Sequence, residues 1–497
     1  QGGANMTNRR PVILLGIDVG TSTIKIGAYD RQGNIRAIRR FPQRILRPRP
    51  GWAEMNPRDW WRKVSVGIRQ LVDEGEIAAS QIASIGISCL CPCAMLLDDK
   101  GNALTPAIFH QDRRSEDIWR RLPPRLLKQA FQIGGNTLRP GTASVLSLLW
   151  FAKHRSAELA RTASFVHANT FLGAKLTGRF GLDSSQAALT GLFDLRANSW
   201  SDELCDAFGV EARLLPALSP AGASLGVLAA EAARTFGLRS GIPVSIGGAD
   251  TACAALGLGR AGPGDAFLLS GTTEVLGAVV GSPLPDPRLI LRPHVRPKTW
   301  LLLGTISSAG ASRQWARRVL KLNGGGPPLP DSYASAPLFL PYLAGERTGD
   351  ARPGTRGAFL GLSLETGAWD LWAAVLEGTA LGLRRILELL ETRADVASPL
   401  MCAGGGARDR QWLQLKADAL GQPIAVAGHD EAALFGAALL GGLAARVYRH
   451  EHELLAVARR AKPAALLRPH SARTRLCDRR YRLFRQCAAQ MRLFDNH

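Results

Sequence analysis

Alternating hydrophobic and polar positions near the start of the chain predict a β-hairpin. The apolar run 12–15 is typical of a buried strand, and Asp18 precedes a small polar tip, Gly-Thr-Ser-Thr, at 20–23. After this tip, every second residue in the run 24–28 is hydrophobic, as in a returning strand. A second copy runs from 266 to 276 through a Ser-Gly-Thr-Thr tip. Two such hairpins predict two similar domains that face each other across a nucleotide.

The chemistry of the two tips is suited to a phosphate group. Small residues leave the backbone N–H groups accessible, hydroxyl groups add further donors, and Asp18 at the strand end can hold a Mg²⁺ ion through water. An ordinary polar turn is the alternative for each tip taken alone. The sequence Gly-x-x-x-x-Gly-Lys-Ser/Thr is absent from the chain, which excludes a P-loop protein.

Beyond the first hairpin, the pattern continues as a meander, a helix and a further strand. Residues 35–41 predict a third strand, and Asn56 and Pro57 are suited to the N-cap and the first position of a helix. Residues 82–88 predict the next strand. This order is typical of sugar kinases, actin and heat-shock ATPases. We therefore expect an α/β protein with two ribonuclease-H-like (actin-like ATPase) domains and a cleft between them.

Length and composition indicate a two-domain globular protein. The chain has 497 residues, of which 46% are hydrophobic, and it has no apolar run long enough to cross a bilayer. We predict an expression scar at 1–5, an N-terminal domain at 6–245, and a C-terminal domain at 246–497 with a basic terminal helix. The eight cysteines lack paired spacing and no secretory signal is visible, so we expect a cytoplasmic protein with reduced thiols.

The net charge of +21 invites a nucleic-acid interpretation, but the distribution of the charge argues against it. Most of the arginines are scattered, aromatic residues do not alternate with them, and no recognised nucleic-acid motif is present. Attraction of an anionic nucleotide explains the charge as well. We expect no nucleic-acid partner and no membrane partner, and a homodimer is left open.

Several motifs, taken in their order along the chain, resemble those of the FGGY family of carbohydrate kinases. They cover residues 12–445 and are Asp18-x-Gly20-Thr21-x-x-x-Lys25, Gly51-Trp52-x-Glu54-x-x-Pro57-x-x-Trp60-Trp61, Pro106-Ala107-Ile108 with Asp112-x-Arg114, Gly247-Gly248-Ala249-Asp250, Pro341-Tyr342-Leu343-x-Gly345-Glu346-Arg347, Arg356-Gly357-x-Phe359-x-Gly361-Leu362, Glu377-Gly378 and Gly404-Gly405-Gly406-Ala407. Each motif alone is weak, but the ordered set is specific. The resemblance implies ATP-dependent phosphorylation of a sugar hydroxyl in a cleft between the domains.

The resemblance places the catalytic base at Asp250. A strand at 243–246 and the pair Gly247-Gly248 precede this residue, and a helix at 251–256 follows it. A carboxylate in that position can accept the proton of the attacking hydroxyl group. For an isolated Asp after two glycines, a helix N-cap is the alternative. The resemblance also assigns Mg²⁺ to Asp18, with Asp250 near it.

The resemblance assigns ATP to the two hairpin tips, to the segment 308–315 and to the glycine turn that follows a strand at 401–403. The tips would hold the phosphates, and the glycine turn would hold the adenosine. The residues assigned to ATP are Gly20, Thr21, Thr23, Gly271, Thr272, Thr273, Gly310, Gln314, Gly405, Gly406 and Ala407.

The sugar is specified less well than the reaction. Residues 131–250 most resemble the xylulokinase branch of the family. At the position of Cys91-Pro92, xylulokinases have Met-His and glycerol kinases have Arg-Glu. At the position of Thr251, xylulokinases have Asn. These departures put the identity of the sugar in doubt. We expect a ketopentose such as D-xylulose, and another polyol or sugar acid of the gluconate, ribulose or glycerol type is the alternative. A non-catalytic sugar sensor on the same fold is an alternative of a different class.

Three residues are predicted to bind the sugar. Trp52 offers an aromatic face for sugar C–H groups, and the carboxylates of Asp112 and Asp250 can accept hydrogen bonds from hydroxyl groups. A buried core tryptophan and a surface pair between Asp112 and Arg114 are the structural alternatives.

Overall fold

The structure, a computed structural model, describes residues 12–165, 167–322, 337–349 and 355–490. Within these residues the strands are β1 (Ile13–Val19), β2 (Thr23–Asp30), β3 (Ile35–Pro42), β4 (Glu54–Met55), β5 (Ile82–Cys89), β6 (Cys93–Ala94), β7 (Leu96–Leu97), β8 (Ala107–Phe109), β9 (Ser164–Phe165), β10 (Phe193–Asp194), β11 (Ser199–Trp200), β12 (Ser224–Val227), β13 (Pro243–Ser245), β14 (Gly248–Ala249), β15 (Ala266–Ser270), β16 (Glu274–Val280), β17 (Ile290–Pro293), β18 (Trp300–Ile306), β19 (Leu338–Leu340), β20 (Ala358–Leu360), β21 (Leu400–Ala403), β22 (Ile424–Val426) and β23 (Ala465–Leu467). The helices are α1 (Pro57–Asp73), α2 (Glu116–Arg120), α3 (Pro124–Gly134), α4 (Ser144–His154), α5 (Ser156–Ala160), α6 (Ala168–Thr177), α7 (Ser184–Ala187), α8 (Asp202–Phe208), α9 (Ala230–Phe236), α10 (Asp250–Gly257), α11 (Ala309–Val319), α12 (Ala368–Glu391), α13 (Arg410–Leu420), α14 (Ala432–Ala444), α15 (Glu451–Ala458) and α16 (Ser471–Gln490). Short 3₁₀ helices occupy Ala79–Gln81, Ala212–Leu214 and Gly405–Arg408. The predicted scar at 1–5 lies outside the described residues.

The chain divides into two compact units, each with its own mixed sheet. The first unit contains the chain up to Gly259, together with Val295–Pro297 and Ala433–Arg460. The second unit contains Arg260–His294, Lys298–Ala432 and the chain from Ala461 onward. The division after Gly259 falls later than the predicted domain boundary at 245, and the chain returns to the first unit for most of α14 and for α15.

The sheet of the first unit has the order β12-β13-β5-β1-β2-β3, and β14 also pairs with β5. β1 and β2 form the predicted antiparallel hairpin, and β3 extends it into the predicted meander. β1 is buried along its whole length and pairs in parallel with β5. The nearly continuous hydrophobic sequence of β1 is typical of a strand that is covered on both faces.

Helix α1 begins as the sequence predicts. The side chain of Asn56 accepts a hydrogen bond of 3.0 Å from the backbone N–H of Arg58, and Pro57 occupies the first turn. The helix buries Trp60, Val64 and Ile68 in the core of the first unit, in the same hydrophobic cluster as the strands β1, β2 and β5.

Helix α14 approaches the first unit's sheet closely because glycines lie at the contact. A Cβ atom added at Gly86 of β5 would lie 1.8 Å from the carbonyl oxygen of Ala437, and one at Gly16 of β1 would lie 2.4 Å from that of Leu434. The helix also carries Gly436, where an added Cβ would lie 1.9 Å from the carbonyl oxygen of Cys253 in α10. Helix α14 therefore packs closely on both the sheet and α10 through its small residues.

The sheet of the second unit has the order β17-β18-β16-β15-β21-β22-β23. β15 and β16 form the predicted second hairpin, in which Ser270 and Glu274 are the last paired residues before the tip. β15 also pairs in parallel with β21, so the turn after β21 lies beside the tip of the hairpin.

The predicted basic terminal helix is α16, which packs on α12 and α13 in the second unit. The buried guanidinium of Arg480 forms two short contacts, of 2.5 and 2.6 Å, with the carboxylate of Glu377 in α12. In the part of the chain that the structure describes, no helix combines the length and the apolar sequence needed to cross a membrane.

Candidate functional site

In the first unit, two candidate carboxylates lie at the ends of strands that flank β5. Asp18 of β1 pairs with Ser88 of β5, and Gly248 of β14 pairs with the same Ser88 from the other side. Asp250 follows β14 directly and begins α10. Because the carboxyl ends of parallel strands meet at one edge of a sheet, the fold brings Asp18 and Asp250 to the same edge.

Asp18 is held by neighbours on both adjacent strands. Its side chain is nearly fully buried, Ser88 Oγ donates a hydrogen bond of 2.9 Å to Oδ1, and Lys25 Nζ lies 3.6 Å from Oδ2. These contacts fix the orientation of the carboxylate, as an ion ligand requires.

Asp250 occupies the first turn of α10, and it is not the N-cap. Ala249 is the N-cap, with an extended backbone, so the N-cap alternative for Asp250 is wrong. The carboxylate Oδ1 accepts hydrogen bonds from the N–H of Thr251 at 2.7 Å and from its hydroxyl at 3.2 Å. The N-terminal end of a helix favours a negative charge, so an acidic side chain is suited to this position.

Gly247 explains how the chain reaches this position. Its φ of +74° lies in the left-handed region, and an added Cβ would lie 2.1 Å from the carbonyl oxygen of Ile87 in β5. The absence of a side chain at Gly247 therefore lets the backbone before Asp250 lie directly against β5.

The surroundings of the two carboxylates fit a magnesium ion bound together with substrate phosphates. Mg²⁺ typically takes one or two carboxylates plus phosphates and water, and Asp18 and Asp250 supply that number. Among the described residues, no group of three or more His, Cys, Asp and Glu side chains could hold a metal by itself.

The Cys89 thiol lies near Asp18. Burial, with the charge of Asp18 as the next cause, raises the pKa of this thiol well above its usual range, so the thiol stays neutral.

The first hairpin tip is a compact turn. The N–H of Gly20 donates to the carbonyl oxygen of Thr23 at 3.1 Å, and the N–H of Gln43 donates to that of Ser22 at 2.8 Å. Gly20 and Thr21 are partly exposed and Ser22 is exposed, so ligands can reach the tip.

Cys89, Cys91 and Cys93 alternate along the sequence and lie in a buried corner between two strands. β5 ends at Cys89, and Cys93 begins β6, so the three residues do not form one strand. Between them, Cys91 Sγ lies 3.6 Å from His167 Nδ1, and His167 Nε2 lies 2.7 Å from Ser144 Oγ. Sequence analysis did not identify His167 or Ser144, because nothing in the local pattern connects them with Cys91.

The buried side chains of Asp112 and Arg114 form a cluster with Trp52, which is partly exposed. Asp112 accepts a hydrogen bond of 2.6 Å from the N–H of Ala53, and Arg114 Nη2 lies 2.8 Å from its Oδ2. Both side chains are 3% exposed, so the alternative of a surface pair is wrong. The guanidinium of Arg114 also lies 3.7 Å from the ring centre of Trp52 and 2.8 Å from Glu54. The cluster therefore joins the Trp52 segment to the 112–114 loop.

In the second unit, the turn 270–273 and the start of α11 are in contact. A Cβ atom added at Gly310 would lie 2.3 Å from the carbonyl oxygen of Gly271. The N–H of Ala311 donates a hydrogen bond of 3.1 Å to the carbonyl oxygen of Thr272. The hydroxyl of Thr273 donates to the carbonyl oxygen of Ser307 at 3.2 Å. The predicted residues Gly271, Thr272, Thr273 and Gly310 thus come together.

The glycine turn after β21 packs on the same hairpin. Gly404 has a φ of +99°, and an added Cβ there would lie 2.5 Å from the carbonyl oxygen of Ser270. At Gly406 the added Cβ would lie 2.0 Å from Ser270 Oγ, whereas nothing lies within 4 Å of one at Gly405. Gly406 therefore serves the packing, while the surface at Gly405 is open to a ligand. Gln314 is exposed on α11.

Comparison with known proteins identifies the family. Residues 13–257 match the N-terminal domain and residues 266–445 the C-terminal domain of the FGGY family of carbohydrate kinases. The chain is 31% identical to xylulose kinase of Escherichia coli (strain K12) over 449 residues, which cover 89% of this chain and 92% of that protein.

Solved structures agree with this assignment. A xyloylose kinase from Brucella ovis, 30% identical, superposes with a TM-score of 0.86 over 97% of this chain and 100% of that chain. A gluconate kinase from Lactobacillus acidophilus, 22% identical, superposes with a TM-score of 0.87 over 97% of this chain and 100% of that one, which shows the shared fold. The predicted two-domain α/β fold of the actin-like ATPase type is confirmed.

Proposed function

The chain belongs to the FGGY family of carbohydrate kinases and is an ATP-dependent sugar kinase, and we propose that it transfers the γ-phosphate of ATP to a hydroxyl group of D-xylulose or a related ketopentose. The observation that carries this proposal is the register of β1, β5 and β14. It places Asp18 and Asp250 at one edge of the first unit's sheet. The similarity to xylulose kinases over most of the chain supports the choice of sugar.

In this mechanism Asp250 is the general base. Its carboxylate accepts the proton of the attacking hydroxyl group, and it lies in the first turn of α10, where a helix favours a negative charge. The hydrogen bonds that Thr251 donates to Oδ1 fix the orientation of this carboxylate.

Asp18, with Asp250 near it, would hold Mg²⁺, which neutralises charge on the phosphates of ATP when bound. Ser88 and Lys25 fix the Asp18 carboxylate for that role. Two sets of turn residues would bind the nucleotide. They are Gly20, Thr21 and Thr23 of the first unit, and Gly271, Thr272, Thr273, Gly310, Gln314, Gly405, Gly406 and Ala407 of the second.

Trp52 and Asp112 are proposed to shape the sugar site together with Asp250. The carboxylate of Asp112 is occupied by Ala53 and Arg114, and one face of Trp52 is covered by Arg114. We infer that these two residues act on the sugar chiefly through the rigid surface that they form. Their partner Arg114 is fixed in turn by Glu54.

A kinase of another polyol or sugar acid is the second candidate, because three residues depart from the xylulokinase pattern. Cys91-Pro92 and Thr251 lie where Met-His and Asn are expected, and Cys91 contacts His167. Pro92 has no hydrogen-bonding side chain where that pattern has an imidazole, and the thiol of Cys91 replaces a thioether, so the hydrogen bonding at this place differs. A sugar sensor without turnover is the third candidate.

The test is ATP consumption with Mg²⁺ over a panel of ketopentoses, aldonates and polyols, with Asp250→Asn as the control. We expect one ketopentose to raise turnover far above the background hydrolysis of ATP, and Asp250→Asn to lose about 10²–10⁴-fold of this activity while it still binds ADP. Turnover retained by Asp250→Asn would refute the base assignment. A response only to an aldonate or another polyol would select the second candidate. Binding of a sugar by calorimetry without any turnover would select the sensor.

A further inference from the structure

A buried ion pair lies directly under the turn 270–273 of the second unit. Lys416 of α13 and Glu274 of β16 are both fully buried and in direct contact. Lys416 Nζ also donates a hydrogen bond of 2.8 Å to Ser270 Oγ, and Ser270 Oγ donates one of 2.8 Å to Glu274 Oε1. The three side chains therefore form a closed set of hydrogen bonds at the base of the hairpin tip.

Ser270 connects this ion pair to the glycine turn as well. Gly404 and Gly406 pack against the backbone and the hydroxyl of Ser270 so closely that neither position accommodates a Cβ atom. The Ser270 hydroxyl has one orientation that satisfies both Lys416 and Glu274. Movement of Ser270 would therefore disturb the hairpin tip and the glycine turn together.

The position of the pair is not explained by stability alone. Burying two charges carries a desolvation cost, and well-packed apolar residues of similar size often give equal or greater stability. The Lys416 ammonium gains a further contact with the ring of Trp412, whose centre lies 3.4 Å away. A pair with these properties specifies geometry, because the hydrogen bonds among Lys416 Nζ, Ser270 Oγ and Glu274 Oε1 form in one arrangement only.

We propose that Lys416 and Glu274 are positioning residues that hold Ser270, and through it the turn Gly271–Thr273, in the geometry that binds the ATP phosphates. This inference rests on the proposed binding of ATP by these residues. The opposite charges of the pair compensate each other, so its effect on the nucleotide is geometric and not electrostatic.

The experiment compares two changes at the pair with a matched change elsewhere. Lys416→Met/Glu274→Leu replaces the ion pair with apolar side chains of similar size, and Ser270→Ala keeps the ion pair but removes its link to the turn. Arg480→Met/Glu377→Leu is the control, because it removes a buried ion pair of the same unit that joins α12 to α16. For each protein we would measure Tm, the KM values for ATP and for sugar, and the Kd for ADP by calorimetry.

We expect Lys416→Met/Glu274→Leu and Ser270→Ala to raise the KM for ATP and the Kd for ADP about tenfold or more, since small displacements of positioning groups have effects of this size. The KM for the sugar and the Tm would change little, and the control double variant would keep the wild-type KM for ATP.

If Ser270→Ala keeps the wild-type KM for ATP and Kd for ADP, the proposal is overturned. This result is decisive even if Lys416→Met/Glu274→Leu fails to fold. An equal rise of the KM for ATP in the control Arg480→Met/Glu377→Leu would overturn the proposal too. It would mean that removing any buried ion pair of this unit weakens ATP binding. If the wild-type protein shows no sugar kinase activity, the calorimetric Kd for ADP still tests the positioning role, so failure of the proposed function is distinguishable.

Discussion

Gly436 is the position where a single methyl group is expected to disturb the base Asp250 without touching it. Gly436 lies in α14 and faces the backbone of α10, the helix that begins at Asp250. In Gly436→Ala, the new Cβ would lie 1.9 Å from the carbonyl oxygen of Cys253, a distance at which real Cβ atoms essentially never occur. To reach 3.0 Å, the two helices must separate by about 1.1 Å.

The cost of this separation follows from two opposing effects. Overpacking of a tight contact costs about 1–3 kcal/mol, and replacing Gly by Ala inside a helix gains about 1 kcal/mol. We expect a net loss of about 0–2 kcal/mol in the free energy of unfolding. If α10 moves, Asp250 moves with it, and a misplacement of about 1 Å can reduce kcat about 10²-fold.

The assay measures Tm and kcat at saturating ATP and sugar for Gly436→Ala and for the control Gly134→Ala. Gly134 is also a helical glycine of the first unit, and its added Cβ would meet only the carbonyl oxygen of Phe193, at 3.3 Å. We expect the control to keep its Tm and kcat. A stability loss with unchanged kcat in Gly436→Ala would refute the reasoning, since it would mean that α14 yields and α10 stays in place.

Three further predictions concern the second unit. Gly310→Ala places a Cβ 2.3 Å from the carbonyl oxygen of Gly271, so we expect a raised KM for ATP with an unchanged KM for sugar; equal changes in both would contradict it. Asp286 is buried, and a hydrogen bond from Arg288 lowers the pKa of its carboxyl group. The ionised carboxylate therefore stabilises the fold above the usual carboxyl pKa, and this stabilisation is lost as the pH falls. The difference in unfolding free energy between wild type and Asp286→Asn should therefore shrink from about pH 6 to about pH 3, and a difference that grows toward acid would be the wrong sign. Arg480→Met leaves the buried carboxylate of Glu377 without its partner, so denaturant unfolding should show a loss of about 3–5 kcal/mol, and a loss below about 1 kcal/mol would show that the pair is dispensable.

The local elements followed from short-range rules that the sequence contains. The two hairpins and the start of α1 at Asn56 and Pro57 agree with their predictions. Each depends on residues that are neighbours in sequence, through alternation or N-capping. The fold class followed in the same way, because the order of these elements is specific.

The site depended on contacts between residues that are far apart in the chain. The resemblance to the family placed Asp250 near Asp18, and the pairing of β1 and β14 with β5 is what brings the two residues to one edge of the sheet. Asp112 was a possible surface residue until the fold buried it with Arg114. No periodicity connects Lys416 with Glu274, which are 142 positions apart. The sequence by itself determined the strands, turns and helix starts, since local backbone preferences act over a few residues. The tertiary structure decided which charges are buried together, because the desolvation and pairing of a charge depend on every element that packs around it.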